Sequence, residues 1–262
     1  MENKEEASVN NILEIRGMSK SFGSIKAVDN VSLKVKTGEI VAVVGPNGAG
    51  KSTVMHTLSG VIRPDQGTIL IDDSPVKIRG PKDSRQLGIE IVYQNLALIN
   101  TLSVASNIHL GREILRGPSF LSWLDTDEMQ TTSRRLITQL KLNLDPAQPV
   151  EGLSGGQRQA VALARAIFHQ ARFAVFDEPT AALGVIETRA TLKVIEDFRD
   201  HGLGVIVVSH NLEDVFSITD RIVAMRAGRV VGERLTKMTS PDEIVGLMLG
   251  GDVDGENTEW SM

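Results

Sequence analysis

At 262 residues, 41% of them hydrophobic, the chain has room for one large α/β domain or a domain plus a subdomain. A formal net charge of −5 leaves no broad basic footprint for nucleic acid, although a phosphate ligand needs only a local cradle. The absence of cysteine removes disulfides, thiolate metal sites and thiol catalysis, and no run of about 18 apolar residues marks a membrane span. The opening MENKEEASVN has no apolar core, so no signal peptide is expected and residues 1–10 read as a polar tail. ILEIRG (12–17) and KAVDNVSLKV (26–35) predict two strands around a turn at Phe22-Gly23. EIVAVVG (39–45) is a nearly continuous apolar run, the pattern of a strand buried on both faces, and a helix is expected over 51–59. GTILIDD (67–73) and GIEIVYQ (88–94) predict further strands. From about 95 to 170 the pattern turns helical, with apolar residues at helical spacing in 125–142, a proline-bearing link at 145–149 and a helix over 154–169. FAVFDEP, a helix over 185–200 and GVIVVSH then resume the alternation that implies a mostly parallel sheet. DRIVAMRAGRVVGERL predicts a hairpin turning at Ala227-Gly228, and Ser240, Pro241 and Glu243 read as a capping box opening the last helix. The expected organisation is an α/β domain over 11–249 with an N-terminal antiparallel portion and an inserted helical subdomain. An acidic, Gly-rich tail follows over 250–262.

Three segments carry the chemistry. Gly45-Pro46-Asn47-Gly48-Ala49-Gly50-Lys51-Ser52-Thr53 contains the phosphate-binding pattern G-x-x-x-x-G-K-[ST] between a strand and a helix. Its glycines let backbone N–H groups approach phosphates at a helix N-terminus. Lys51 is the cation for the β- and γ-phosphates and Ser52 a Mg²⁺ ligand. Asp177 and Glu178 end an apolar strand, as expected of a Mg²⁺-associated carboxylate followed by a second acidic group; two helix-capping carboxylates are the plainer alternative. Ser154-Gly155-Gly156-Gln157, twenty residues before Asp177-Glu178, forms a capping-box pattern with two glycines that let backbone lie close to an anion.

In this order and spacing the P-loop, Leu153-Ser154-Gly155-Gly156-Gln157 and Asp177-Glu178 resemble the ATP-binding cassette (ABC) ATPases, over residues 12–249. The resemblance implies a P-loop NTPase core that binds ATP and Mg²⁺. It makes Glu178 the general base for the attacking water, His210 the switch histidine at the γ-phosphate, and Gln94 a contact to Mg²⁺ and water. Phe22 resembles the aromatic that stacks on adenine, although an aromatic beside a turn also serves as core. In the resembled family the Ser154–Gln157 segment meets ATP held by another chain's P-loop, so an ATP-dependent homodimer, or pairing with a homologous cassette, is expected.

Where the family usually carries Ser-Ala-Leu-Asp, this chain has Ala181-Ala182-Leu183-Gly184, which leaves coupling between the two nucleotide sites without its usual aspartate. That form, with the ending SPDEIVGLMLGG, resembles the ATPases of ribose-, xylose- and fructose-type importers. The implied role is a peripheral subunit at the cytoplasmic face of the membrane. It would drive permease subunits and, indirectly, a substrate-binding protein. A soluble cassette acting on nucleic acid or ribosomes, and an importer ATPase for another solute, are the competing readings. The first normally brings a coiled-coil insertion or a second cassette. The stretch 95–123, with Leu96, Leu98, Ile99, Leu102, Ile108, Leu110 and Leu121, is the expected permease-docking surface, unless those side chains fill the subdomain's own core.

Overall fold

The computed structural model describes residues 11–92, 98–118, 120–181 and 183–250. The chain opens with β1 (Ile12–Phe22) and β2 (Ile25–Lys36), joined at the expected turn, where Gly23 takes φ +58°. Then come β3 (Ile40–Val44), α1 (Lys51–Leu58), β4 (Gln66–Ile71), β5 (Ser74–Val76), α2 (Pro81–Gln86) and β6 (Ile89–Val92). The middle of the chain holds α3 (Val104–Ile108), β7 (Leu115–Arg116), β8 (Trp123–Leu124), α4 (Thr126–Gln139) and α5 (Gly155–Phe168). Alternation resumes with β9 (Phe173–Asp177), α6 (Val185–Asp200), β10 (Gly204–Val208), α7 (Leu212–Ile218), β11 (Arg221–Arg226), β12 (Arg229–Leu235) and α8 (Pro241–Leu249). None of the described helices is long and apolar enough to cross a membrane.

The strands form an antiparallel sheet in the order β2-β1-β4-β5 and a larger sheet in the order β12-β11-β3-β10-β9-β6. In the larger sheet only the edge strand β12 pairs antiparallel; the other pairings are parallel. The apolar run that predicted a doubly buried strand is β3, near the sheet centre. Val41 and Val43 pack with Val54 and Leu58 of α1 and with the N-terminal sheet, while Ala42 and Val44 meet Val215 of α7 and Ile244 of α8. β9 is fixed in the same way. Phe173 and Val175 face the first cluster, and Phe176 packs edge-on against Phe198 of α6 with ring centroids 5.3 Å apart. An aromatic pair of this kind contributes about 0.5–1.5 kcal/mol beyond its burial, and here it anchors the strand that ends in Asp177.

Helices α3, α4 and α5 share a separate core of Val104, Ile108, Ile137, Val150, Leu153 and Val161. The segment is less purely helical than its composition implies, because β7 and β8 form a small hairpin inside it. Gly117 makes that hairpin possible. It sits at φ +108°, and a Cβ there would lie 2.6 Å from the Leu121 carbonyl oxygen and 3.0 Å from the Trp123 ring. At the last helix the capping box is half formed. Ser240 accepts a hydrogen bond from the Glu243 N–H, but the Glu243 carboxylate is held by Arg234 (2.6 Å) and Thr239 (2.6 Å) instead of the cap backbone.

Candidate active site

The C-terminal ends of β3, β10 and β9 lie side by side, and strand register brings their functional residues to one level. Val208 pairs with Val43 on one side and with Asp177 on the other. The P-loop therefore leaves β3 next to Ser209-His210 leaving β10 and Asp177-Glu178 ending β9. Crevices at the carboxyl ends of parallel strands are where open α/β sheets bind ligands. β6 flanks β9, with Val92 paired to Phe176. Gln94 follows β6 in sequence but lies outside the described residues.

Between β3 and α1 the backbone must turn within six residues while staying close to its neighbours. Gly48 and Gly50 take φ +82° and +98°, and a Cβ on Gly50 would lie 2.5 Å from the Ala27 carbonyl oxygen. A Cβ on Gly45 would overlap the Met225 carbonyl oxygen. Pro46, Asn47 and Gly48 are exposed, whereas Ala49 is buried and accepts a hydrogen bond from Gly228 N–H at 3.1 Å. Lys51 is 6% exposed, and its ammonium donates to the carbonyls of Gly45 (2.6 Å) and Pro46 (3.2 Å). Among the described residues the buried ammonium is hydrogen-bonded by these two loop carbonyls, at the centre of the loop, where an anion is a stronger acceptor. Ser52 is exposed on the first turn of α1 and Thr53 half-buried beside it.

Asp177 and Glu178 differ sharply in their surroundings. Burial pushes the Asp177 carboxyl above the usual range; His56 and Lys51 counteract that push, while the Glu178 charge adds to it. Asp177 Oδ1 is buried without a hydrogen-bond partner among the described residues. Glu178 takes φ +47°, an uncommon backbone conformation for a residue with a side chain. Its N–H is held by the Val208 carbonyl at 2.9 Å, and its Oε2 lies 2.8 Å from His210 Nδ1. His210 is brought to Glu178 by the β9–β10 pairing, and the loops behind the pair are braced together. Thr180 donates to Asp214 at 2.6 Å, Asn211 Nδ2 donates to the same carboxylate at 3.0 Å, and Asn211 caps α7. His56, Thr180, Asn211 and Asp214 give no signal in the sequence, because single polar residues on a helix or loop carry no motif.

The residues present fit Mg²⁺ better than a metal that wants an all-protein cage. Among the described residues no cluster of three or more His, Cys, Asp or Glu forms a metal site. One acceptor-only carboxylate oxygen without a partner and one exposed hydroxyl match an ion that takes a few protein ligands and completes its shell with water and phosphate.

Ser154 lies at the N-cap of α5, and the capping box is complete. Its hydroxyl accepts from Gln157 N–H at 3.3 Å, and the Gln157 side chain accepts from Ser154 N–H at 3.0 Å. Gly155 and Gly156 are exposed, and a Cβ on either would meet nothing within 4 Å. The depression that these two glycines line is walled by Pro179, Leu183 and the first turns of α6, not by the P-loop. Phe22 is 48% exposed at the β1–β2 turn, so it does not fill the core, and Lys20 stands 5.7 Å from its ring centroid. The same hairpin brings Ala27 against Gly50.

A family model described as ABC transporter matches residues 28–181. The xylose/arabinose import ATP-binding protein of Sulfolobus acidocaldarius is 40% identical over 92% of this chain and 94% of its own length. The fructose import ATP-binding protein of Rhizobium meliloti is 45% identical over 83% of this chain and 86% of its own. The ribose import ATP-binding protein of Clostridium tetani is 38% identical over 94% of this chain, which spans about half (48%) of that relative's length. The ADP conformation of an ATP-binding cassette of an ABC transporter superposes with a TM-score of 0.74, covering 93% of this chain and 96% of that one at 24% identity. The fold is thus that of an ABC cassette, and the chain belongs to the ABC transporter family.

Proposed function

We propose that this chain is the ATP-hydrolysing subunit of a monosaccharide importer. The observation that carries the chemistry is the 2.8 Å contact between Glu178 and His210, on neighbouring strands beside the P-loop. In this reading Lys51 exchanges the Gly45 and Pro46 carbonyls for the β- and γ-phosphates of ATP. Glu178 accepts a proton from water as the water oxygen bonds to the γ-phosphorus. The bond from that phosphorus to the bridging oxygen breaks, and ADP leaves with the electron pair. His210 holds the Glu178 carboxylate towards the water. Ser52 and Asp177 would hold Mg²⁺, with Gln94 as the further ligand implied by resemblance. When bound, the ion neutralises charge on the phosphates. Phe22, exposed on the hairpin whose Ala27 lies against Gly50, would stack on the adenine.

The sugar assignment rests on relatives named for xylose/arabinose, fructose and ribose import. Two copies would share two nucleotides, each held by the P-loop of one and by Ser154–Gln157 of the other. The permease would enter between the larger sheet and the helical part, in the groove lined by Pro81 and Arg85 of α2, Glu90 and Ile91 of β6, Leu110, and Arg165 of α5. Of the stretch expected to dock it, Ile108 is fully buried and Leu98 packs on the α3–α4–α5 core, whereas Leu110 lines the groove and Leu121 is 64% exposed; Leu96 lies outside the described residues. The test is uptake of labelled xylose, fructose or ribose into vesicles carrying the permease, with the wild-type chain and with Glu178→Gln. Uptake of one of these that needs ATP and is lost in the variant supports the reading. Uptake only of a non-sugar solute would overturn the cargo assignment.

A further inference from the structure

The contact between Glu178 and His210 is not fixed by packing. His210 leaves 62% of its side chain exposed and Glu178 30%, so their 2.8 Å approach depends on the backbones that carry them. The Glu178 backbone stands at φ +47°, a conformation that residues with a side chain seldom adopt, and the Pro179 ring narrows its choices further. Such a conformation persists only where the surrounding structure over-determines it. The parallel pairing of β9 with β10 ends at Asp177 and Val208, so no strand ladder holds the two chain segments together beyond that level.

Two hydrogen bonds take over from the ladder. In front, the Glu178 N–H donates to the Val208 carbonyl at 2.9 Å. Behind, the Thr180 hydroxyl donates to Asp214 Oδ2 at 2.6 Å. His210 lies between Val208 and Asp214, and Glu178 opens the turn that Thr180 continues. Asp214 is buried on the first turn of α7, and the same Oδ2 accepts from Asn211 Nδ2 at 3.0 Å. Asn211 Oδ1 accepts from the N–H groups of Glu213 (3.0 Å) and Asp214 (3.4 Å), and the Asn211 N–H donates to Ser209 Oγ at 3.0 Å. Both chain neighbours of His210 are therefore bound into the network that ends on the Asp214 carboxylate. Val207, Val215 and Ile218, all buried, line the same crevice as Thr180 and Asp214, and apolar surroundings of that kind strengthen a hydrogen bond.

We infer that Thr180 and Asp214 are positioning residues for hydrolysis. Their hydrogen bond closes the turn after β9 onto the start of α7 and so keeps the Glu178 carboxylate beside His210 and facing the water. The inference rests on the reading above that Glu178 is the base. Thr180 and Asp214 act through Glu178, so their loss should slow the chemical step and leave nucleotide binding intact.

The experiment uses the purified full chain with saturating Mg-ATP. Thr180→Val nearly keeps the side-chain shape and removes the hydroxyl, whereas Thr180→Ser keeps the hydroxyl. The valine variant is expected to lose about tenfold or more in single-turnover rate with its ATP dissociation constant within about threefold of wild type. The serine variant should stay within about threefold of wild type in both. Asp214→Asn should also keep its rate within about threefold, because both donors meet one oxygen and an amide oxygen can take its place. In a Glu178→Gln background Thr180→Val should cost less than about twofold more, since a clamp that acts through the base then has nothing left to position. An equally large loss in that background would show a separate role and overturn the inference. A valine variant with the wild-type rate, where Glu178→Gln is slow, overturns the clamp and leaves the base in place. A valine variant that loses ATP binding or cooperative urea unfolding along with its rate also overturns it, because the bond then serves the fold. If Glu178→Gln itself turns over like the wild type, the reading of Glu178 as base fails and the clamp with it.

Discussion

The two Gly-rich helix ends of this molecule, at α1 and α5, are built in opposite ways. At α1 the approach of other backbone is tight. Gly45 and Gly50 tolerate no side chain because Met225 and Ala27 press on them, and Lys51 is buried with its charge satisfied from within. At α5 the glycines stand in open space, and the helix end is satisfied by its own capping box, with the Gln157 side chain also donating to the Asn143 carbonyl at 3.4 Å. The first end is enclosed by its own chain and, in the proposed reading, holds the groups that do the chemistry. The second is capped but presented outward, as the proposed half-site for another molecule would require. Preorganisation on both sides limits what must be ordered when the halves meet.

The largest effect of substitution is expected in the enclosed half. Lys51→Ala removes the main cation of the loop and should abolish measurable ATP binding in equilibrium titrations. Glu178→Gln should bind ATP normally and lose ~10²-fold or more in turnover, because only the proton acceptor is changed. Retained wild-type turnover would move the role of base to another group. His210→Ala should cost about tenfold or more in single-turnover rate with ATP affinity nearly unchanged, since the imidazole acts through Glu178.

The next contrast lies in the helical part. Leu98→Asp should destabilise the chain by ~2–4 kcal/mol in urea unfolding, because Leu98 packs on the subdomain core. It therefore tests folding and not docking. Leu121→Asp, at an exposed position, should change stability by less than about 0.5 kcal/mol. The smallest effect concerns Asp177. Its pKa is raised in the folded state by burial, so its ionisation opposes folding. That penalty is absent below the ordinary carboxylate range, grows as pH rises through the raised value, and is complete above it. Asp177→Asn should raise the melting temperature of the nucleotide-free chain at neutral pH, with the gain disappearing in acid. The extra stabilisation from Mg-ATP should fall at the same time.

The contrast also marks what was legible in the sequence. The P-loop could be read because Gly, Lys and Ser at fixed offsets have few other uses, and β3 because a doubly buried strand needs an unbroken apolar run. The 185–200 helix matches the expected span. Contacts made by long-range pairing were not legible in the residues. The Glu178–His210 distance depends on the β9–β10 register, and Thr180 meets Asp214 across 34 residues. The β7–β8 hairpin has strands of two residues, too short for alternation to appear. The half-formed cap at Ser240 shows a local rule yielding to a tertiary partner, since Arg234 and Thr239 claim the Glu243 carboxylate. Leu98 and Leu121 look alike in sequence, and only packing separates a core residue from an exposed one.

If the enclosed half-site of one copy works with the outward-facing half-site of another, two dead variants mixed together should restore activity. Lys51→Ala spoils the first half and Gly156→Asp, which puts a carboxylate on the open helix end, spoils the second. Each alone should be inactive. In a head-to-tail pair of the two variants, one site carries both defects and the other carries neither. An equal mixture should therefore recover up to about a quarter of wild-type ATPase activity per subunit, half of the dimers being mixed with one intact site each. A mixture as inactive as its components, at concentrations where wild-type chains are fully active, would mean that each chain completes its own site and would contradict the account.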